Sequence, residues 1–335
     1  MRFDGSKVVL DTDAPDPSPA PGEALVRCAR VGVSRADVQI AQGKLPFRGI
    51  LGHEFVGVVE SVNPAPGREA PQSAWVGKRV VGAPQVACGR CERCRAGLSQ
   101  HCPARAVLGV LGRDGCFADK VALPVANLVE CPKAVDDDAA VMAGAVSHVL
   151  HAARMIRLEG KTYITVLGEG VRALLAAQVM GRLNASVRLL CSRPRTLALA
   201  EKLGVRHRPL EDAGQRFDQD VVVECDGGDA RRLRLALRFV RPRGTVILCG
   251  TSAPLPPSDS DLMGSGAPAG AAALAHEDLA LVVNQELTII GARCGRLSEG
   301  VEALARKDVD VATLITMRAT LNDAARAIAA AGGLA

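Results

Sequence analysis

Cys88, Cys91, Cys94 and Cys102 fall within fifteen residues in the spacing C-x2-C-x2-C-x7-C. Four thiolates so spaced can close a tetrahedral shell around one zinc ion, leaving no position open for a substrate. That is the chemistry of a structural metal site, and Gly89 and Gly97 allow the tight turns such a lobe needs. An iron–sulfur cluster or a chance grouping of buried thiols are the alternatives. The other seven of the eleven cysteines are scattered singly and read as small buried hydrophobes.

A second pattern could hold a dinucleotide. Gly168-Glu-Gly170-Val-Arg-Ala173 is G-x-G-x-x-A, placed between the apolar run Tyr163–Leu167 and a helical stretch over Val171–Leu183. The first glycine permits the turn, the second lets the backbone approach a pyrophosphate, and the small third residue lets helix and strand pack closely. The following strand runs out in Cys191-Ser192-Arg193-Pro-Arg195, with no carboxylate for a ribose diol. Ser192, Arg193 and Arg195 stand where a 2′-phosphate would sit, so the expectation is NADP(H) in preference to NAD(H). The alternative is that both arginines are merely solvated.

The elements that must position these residues follow from periodicity. Residues 1 to about 150 are strand-rich, with short β-branched runs (Ala24–Cys28, Phe55–Val59, Val76–Val81) between Pro, Gly and Asp clusters. A helix is predicted over Asp138–Arg157. Beyond it, apolar strands at 163–167, 187–191, 220–224, 245–249 and 287–290 alternate with helices at 171–183, 196–203 and 230–240. Such alternation predicts a parallel sheet with crossover helices. Residues 251–280 are rich in Pro, Ser, Gly and Ala and read as a surface loop.

The order of these parts resembles the medium-chain zinc alcohol and polyol dehydrogenase family, over about residues 20 to 330. Gly52-His53-Glu54-Phe-Val-Gly57 matches that family's zinc signature, with Asn63 where a Gly or Ala usually completes it. The resemblance implies an α/β protein of three parts: a GroES-like β-rich catalytic domain over residues 1–157, carrying the cysteine lobe; a Rossmann domain with a doubly wound parallel sheet over 158–290; and a C-terminal segment, 291–335, returning to the first domain. It implies hydride transfer between an alcohol carbon and a nicotinamide ring.

It also implies a second, catalytic zinc with three protein ligands and an open position, and here the chain departs from the family's pattern. Ser34 stands at the first ligand position, in place of Cys. Ala36 and Gln39 replace the hydroxyl and the His of the proton relay. His53 is kept as second ligand with Glu54 beside it, and Asp37 is kept where a carboxylate would orient the ligand His. The third position matches Gly144. One imidazole alone does not hold zinc usefully, so this ion is expected to be absent unless His148, one helical turn beyond Gly144, rebuilds a ligand. The family's last apolar strand is also missing before Ala335.

Three functions therefore compete. The first is an oxidoreductase acting on a small alcohol, carbonyl or activated alkene without catalytic zinc, with Ser34, Gln39, His53 and Glu54 lining a polar pocket. The second is a nicotinamide-binding sensor or assembly protein that has lost its chemistry. The third is an ordinary zinc enzyme with replacement ligands. At 335 residues, 48% hydrophobic and 23% charged, the composition is that of a folded two-domain chain. A net charge of +5, spread in short basic runs, argues against nucleic acid as a partner. There is neither a membrane-length apolar stretch nor an apolar leader, so no membrane and a cytoplasmic address are expected. A homo-oligomer, dimer or tetramer, is what the resemblance implies.

Overall fold

In a computed structural model the described residues are 1–157, 160, 162–183, 185–214, 216–227, 230–250 and 276–333. They divide into two compact units, Met1–Gly144 with Ile315–Ala335, and Ala145–Leu314.

The first unit is built on a five-stranded antiparallel sheet. Glu23–Gly32 pairs with Glu54–Asn63 on one side and Lys120–Pro124 on the other, and Arg79–Gly82 and Leu128–Glu130 extend the sheet. Val26, Phe55, Val59, Val80 and Leu123 project into a core completed by Leu51 and Phe117, all 2% exposed or less. The helix Ala324–Gly332 contributes Ala324 and Ile328 to the same core. The final stretch of the described chain thus packs into this unit as a helix.

The second unit holds a six-stranded parallel sheet: β1 (Thr162–Leu167), β2 (Ala185–Cys191), β3 (His207–Pro209), β4 (Gln219–Glu224), β5 (Val240–Leu248) and β6 (Thr288–Gly291). The strand order is β3-β2-β1-β4-β5-β6, every pair parallel. The chain reverses its direction of winding between β1 and β4, and in such sheets ligands bind beyond the carboxyl ends of the strands at that switch point. Ile164, Val166, Leu189, Leu190, Val222 and Val246 are fully buried, as expected of strands covered on both faces. The crossovers include α1 (Gly170–Gly181), α2 (Pro194–Lys202) and α3 (Ala230–Phe239).

Several expectations are adjusted. The predicted helix over Asp138–Arg157 is two helices, Asp137–Ala140, capped by Asp136 accepting the Ala139 N–H at 2.7 Å, and Ala143–Arg154. Of the predicted loop at 251–280, residues 251–275 lie outside the described residues. Residues 276–280 belong to the helix His276–Asn284, where Asp278 is gripped by Arg234 through contacts of 2.8 and 2.9 Å. The expected boundaries at 157 and 290 also differ from the contact division. Ala145–Arg157 and the stretch 291–314 group with the parallel sheet, where Gln178 and Arg182 of α1 donate to the Asp310 and Asp308 carbonyls. Among the described residues no helix is long and apolar enough to cross a membrane.

Candidate metal and dinucleotide sites

The four sulfur atoms of Cys88, Cys91, Cys94 and Cys102 all lie within 4.8 Å of one another. Cys91 Sγ is 3.4 Å from Cys94 Sγ and 3.9 Å from Cys102 Sγ. A tetrahedral zinc thiolate centre with bonds of about 2.3 Å requires sulfurs roughly this far apart, so the residues fit the ion. The lobe is made of a four-residue helix, Glu92–Arg95, and a 3-10 turn, Ser99–His101. Donation from the Arg90 and Cys91 N–H groups draws the Cys88 thiol down to about 6, so it enters such a shell as thiolate. Loss of solvent, then hydrogen bonding to Cys91, raises Cys94 to about 11.

The residues aligned with a catalytic zinc are used otherwise. Ser34 caps the short helix Arg35–Ala41 in a reciprocal capping box with Asp37. The Ser34 hydroxyl donates to Asp37 Oδ2 at 2.6 Å, and the Ser34 N–H donates to the same oxygen at 2.8 Å. Asp37 Oδ1 accepts the Gly52 N–H at 3.0 Å, so a fully buried carboxylate joins the cap to the turn that presents His53. Gly52 has φ +93°, and a Cβ there would strike the Phe117 ring at 2.4 Å, so this turn requires glycine. Asp37 therefore holds backbone, which differs from its expected service to the ligand histidine. His53 Nδ1 is buried with no hydrogen-bond partner among the described residues. Gln39 lies within the capped helix, and Glu54 opens the strand that follows His53.

His148 is engaged through one ring nitrogen. Its Nε2 lies 3.2 Å from the Ala292 carbonyl, which can only accept, so Nε2 carries the proton and Nδ1 alone keeps a lone pair. Burial, and then the Arg172 guanidinium, pull its pKa down to about 4 from 6.5. Between those values the unfolded chain binds a proton that the folded chain does not. The stability contributed by the neutral ring is complete above pH 6.5 and is lost as the pH falls towards 4, by up to about 3 kcal/mol. Thermal midpoints should therefore fall more steeply from pH 6.5 to 4.5 in the native protein than in His148→Asn. Equal slopes would refute the assignment. Among the described residues, the four cysteines are the only group of three or more His, Cys, Asp or Glu whose ligand atoms gather. The donor set expected for a catalytic zinc does not fit that ion.

The Gly168–Ala173 turn lies at the carboxyl end of β1. Gly170 has φ +67° and begins α1, and its N–H donates to Thr196 Oγ1 at 3.2 Å. A Cβ on Gly168 would meet Cys225 Cβ at 2.9 Å. On Gly250, beyond β5, a Cβ would meet Gly227 Cα at 2.6 Å and Arg172 Nη1 at 2.9 Å. Glycines thus let the turns after β1 and β5 pack closely at the strand ends, with the Arg172 guanidinium beside them, where a pyrophosphate binds in sheets of this order. Ala173 is fully buried where α1 crosses the sheet. A nicotinamide dinucleotide fits this cradle.

Two residues here escaped the sequence reading. Arg172 occupies an x position of the motif, and nothing in the spacing marks it. Glu169, the other, turns its carboxylate to the end of β2. There it accepts the Ser192 N–H at 2.5 Å and the Arg193 N–H at 3.3 Å. Ser192 and Arg193 were expected to receive a 2′-phosphate, but their backbone donors face a carboxylate, which weighs against the NADP(H) expectation. Arg195 is exposed at the start of α2.

Residues 20–133 match the alcohol dehydrogenase GroES-like domain. An L-threonine 3-dehydrogenase of Streptomyces avermitilis is 36% identical over 201 residues, 58% of this chain and 56% of that protein. The chain thus aligns with little more than half the length of that relative. The L-threonine 3-dehydrogenase of Escherichia fergusonii is 27% identical over 333 residues, covering 93% of this chain and 89% of its own. Among solved structures, an alcohol dehydrogenase from Thermus sp. ATN1 is 26% identical with a TM-score of 0.76, covering 98% of this chain and 96% of its own. A candidate zinc-binding dehydrogenase from Sinorhizobium meliloti 1021, bound to NADP, is 25% identical with a TM-score of 0.77, covering 94% and 90%. In its GroES-like match over residues 20–133, its parallel dinucleotide-type sheet and its four-cysteine lobe, the chain is similar to the zinc-type alcohol and threonine dehydrogenases.

Proposed function

We propose that the protein is a nicotinamide-dinucleotide-dependent oxidoreductase acting on a small alcohol, carbonyl or activated alkene, with one structural zinc in the Cys88–Cys102 lobe and no catalytic zinc. The observation that carries this reading is the glycine turn that joins β1 to α1 at the switch point of the β3-β2-β1-β4-β5-β6 order. The alcohol and threonine dehydrogenases among the relatives support it. The cofactor, when bound, supplies the hydride or accepts it.

The chain's own residues then bind and orient. Gly168, Gly170 and Ala173 admit the dinucleotide backbone, and Arg172 faces its negative charge. In the first unit the Ser34 hydroxyl is held by Asp37 and is withdrawn from the set proposed to line a polar pocket. His53 keeps a buried Nδ1 without a partner, and Gln39 and Glu54 accompany it as polar candidates. These groups would orient a substrate oxygen by hydrogen bonds, which suits an already polarised carbonyl or enone better than an unactivated alcohol. A homo-oligomer, dimer or tetramer, formed through the exposed edge strand β6, is proposed alongside.

Elemental analysis of protein purified without added metal should give one zinc per protomer. A stopped-flow panel of aldehydes, enones and quinones with reduced cofactor should show hydride consumption with at least one activated class. Two zinc ions per protomer would restore the metal-dependent alcohol dehydrogenase. One zinc with cofactor binding but no consumption across the panel would favour the sensor.

A further inference from the structure

Glu169 is the N-cap of α1, but its side chain makes no cap hydrogen bond. It leans away from the helix it begins, with only 7% of its side chain exposed. Its two oxygens span the backbone donors that follow β2, Oε1 on Ser192 and Oε2 on Arg193. The posture is fixed from behind. Asp226 Oδ1 accepts the Glu169 N–H at 2.7 Å, and Arg232 Nε lies 2.9 Å from Asp226 Oδ2. Arg232 Nη2 reaches Glu169 Oε1 at 3.8 Å, while Nη1 is buried without a partner among the described residues.

The end of the second strand is where a parallel sheet of this order holds the adenosine ribose, usually with an acidic residue of that strand. Here the strand brings none, and the glycine-rich turn delivers a carboxylate to the same place from the neighbouring strand. A carboxylate has about four lone-pair positions. Two take backbone N–H groups and one faces Arg232, so acceptor capacity remains for a ribose hydroxyl. A 2′-phosphate would meet a like charge at close range and find both backbone donors taken.

We infer that Glu169 is the specificity-determining residue of the cofactor site and that it selects NAD(H), with its free ribose 2′-hydroxyl, over NADP(H). The inference rests on the dinucleotide-binding reading above. Removing the charge would free the Ser192 and Arg193 N–H groups and release Arg232, leaving a cationic pocket beside Arg193 that suits a phosphate.

Isothermal titration calorimetry of the full-length protein tests this without any turnover. The native protein should bind NAD+ at least tenfold more tightly than NADP+, and 5′-AMP more tightly than adenosine 2′,5′-bisphosphate. In Glu169→Gln, NADP+ and the bisphosphate should gain tenfold or more while NAD+ changes less. The native comparison stands on its own if that variant fails to fold. Native preference for NADP+, or an unchanged NAD+/NADP+ ratio in folded Glu169→Gln, would overturn the role of Glu169 while leaving a dinucleotide site in place. Absence of binding by any of the four ligands to folded native protein would overturn the dinucleotide reading, and this inference with it.

Discussion

Cys102→Ala should empty the lobe of zinc and unravel residues 88–102 while leaving the rest of the first unit folded. Cys102 is the fully buried member of the four and the one whose sulfur lies 3.5 Å from the Cys88 N–H. Around it the lobe has almost no apolar core. Leu98 is 51% exposed, and most residues from Gly89 to His101 are exposed. Cohesion must come from the ion, and apparent binding energies of structural zinc are about 10–16 kcal/mol at neutral pH. Three thiolates cannot close the shell, so most of that is lost. After dialysis against a mild chelator, zinc should fall from one equivalent to near zero, and limited proteolysis should cut within the lobe. The sheet core, built from Val26, Phe55, Val80 and Leu123, does not include the lobe, so far-ultraviolet circular dichroism should change little. Cys131→Ala, a buried thiol elsewhere, should keep its zinc. A full equivalent retained by Cys102→Ala would refute the site.

The second large effect is expected at Asp37. Its carboxylate accepts the Gly52 N–H, the Ser34 N–H and the Ser34 hydroxyl, and none of its surface is exposed. Asp37→Ala leaves those donors without an acceptor, at about 1–3 kcal/mol for each one that stays buried. It also breaks the capping box, worth about 1 kcal/mol. A total of roughly 3–5 kcal/mol is a large part of the ~5–15 kcal/mol that holds a domain together. The thermal transition of the first unit should fall by roughly 10 °C. Asp13→Ala, at an exposed carboxylate, should shift it by no more than a degree or two. If the two variants melt together, Asp37 does not join the helix to the His53 turn.

How much of this was legible in the sequence depended on whether a residue's role was local. The cysteine spacing and the strand–glycine–helix order report on neighbours in the chain, and the structure gathers the four sulfurs and builds the parallel sheet accordingly. Strand β3, by contrast, has the sequence His207-Arg-Pro209, without an apolar run. It exists because it lies at the sheet edge, with Leu189, Leu190 and Cys191 as its partners. Glu169 was silent for the same reason. Its partners, Ser192 and Arg193, are 23 and 24 residues away, and only folding reveals that its carboxylate lies on them. The role expected of Asp37 shifted because a buried carboxylate bonds the nearest donors, and Ser34 and Gly52 provide them.

The cap at Ser34 also bears on how this surface could change over generations. A serine at a position that otherwise carries a metal thiolate is a loss when judged by metal chemistry. Judged by helix chemistry it is a gain, because serine is among the best N-caps and its hydroxyl completes a reciprocal pair with Asp37. A reversion to cysteine would first weaken the helix start and loosen the acceptor that steadies the His53 turn. It would still find a glycine at position 144 and His148 turned to a carbonyl. The step back at position 34 is therefore downhill in stability before any ion can repay it, which makes the serine a local trap in sequence space.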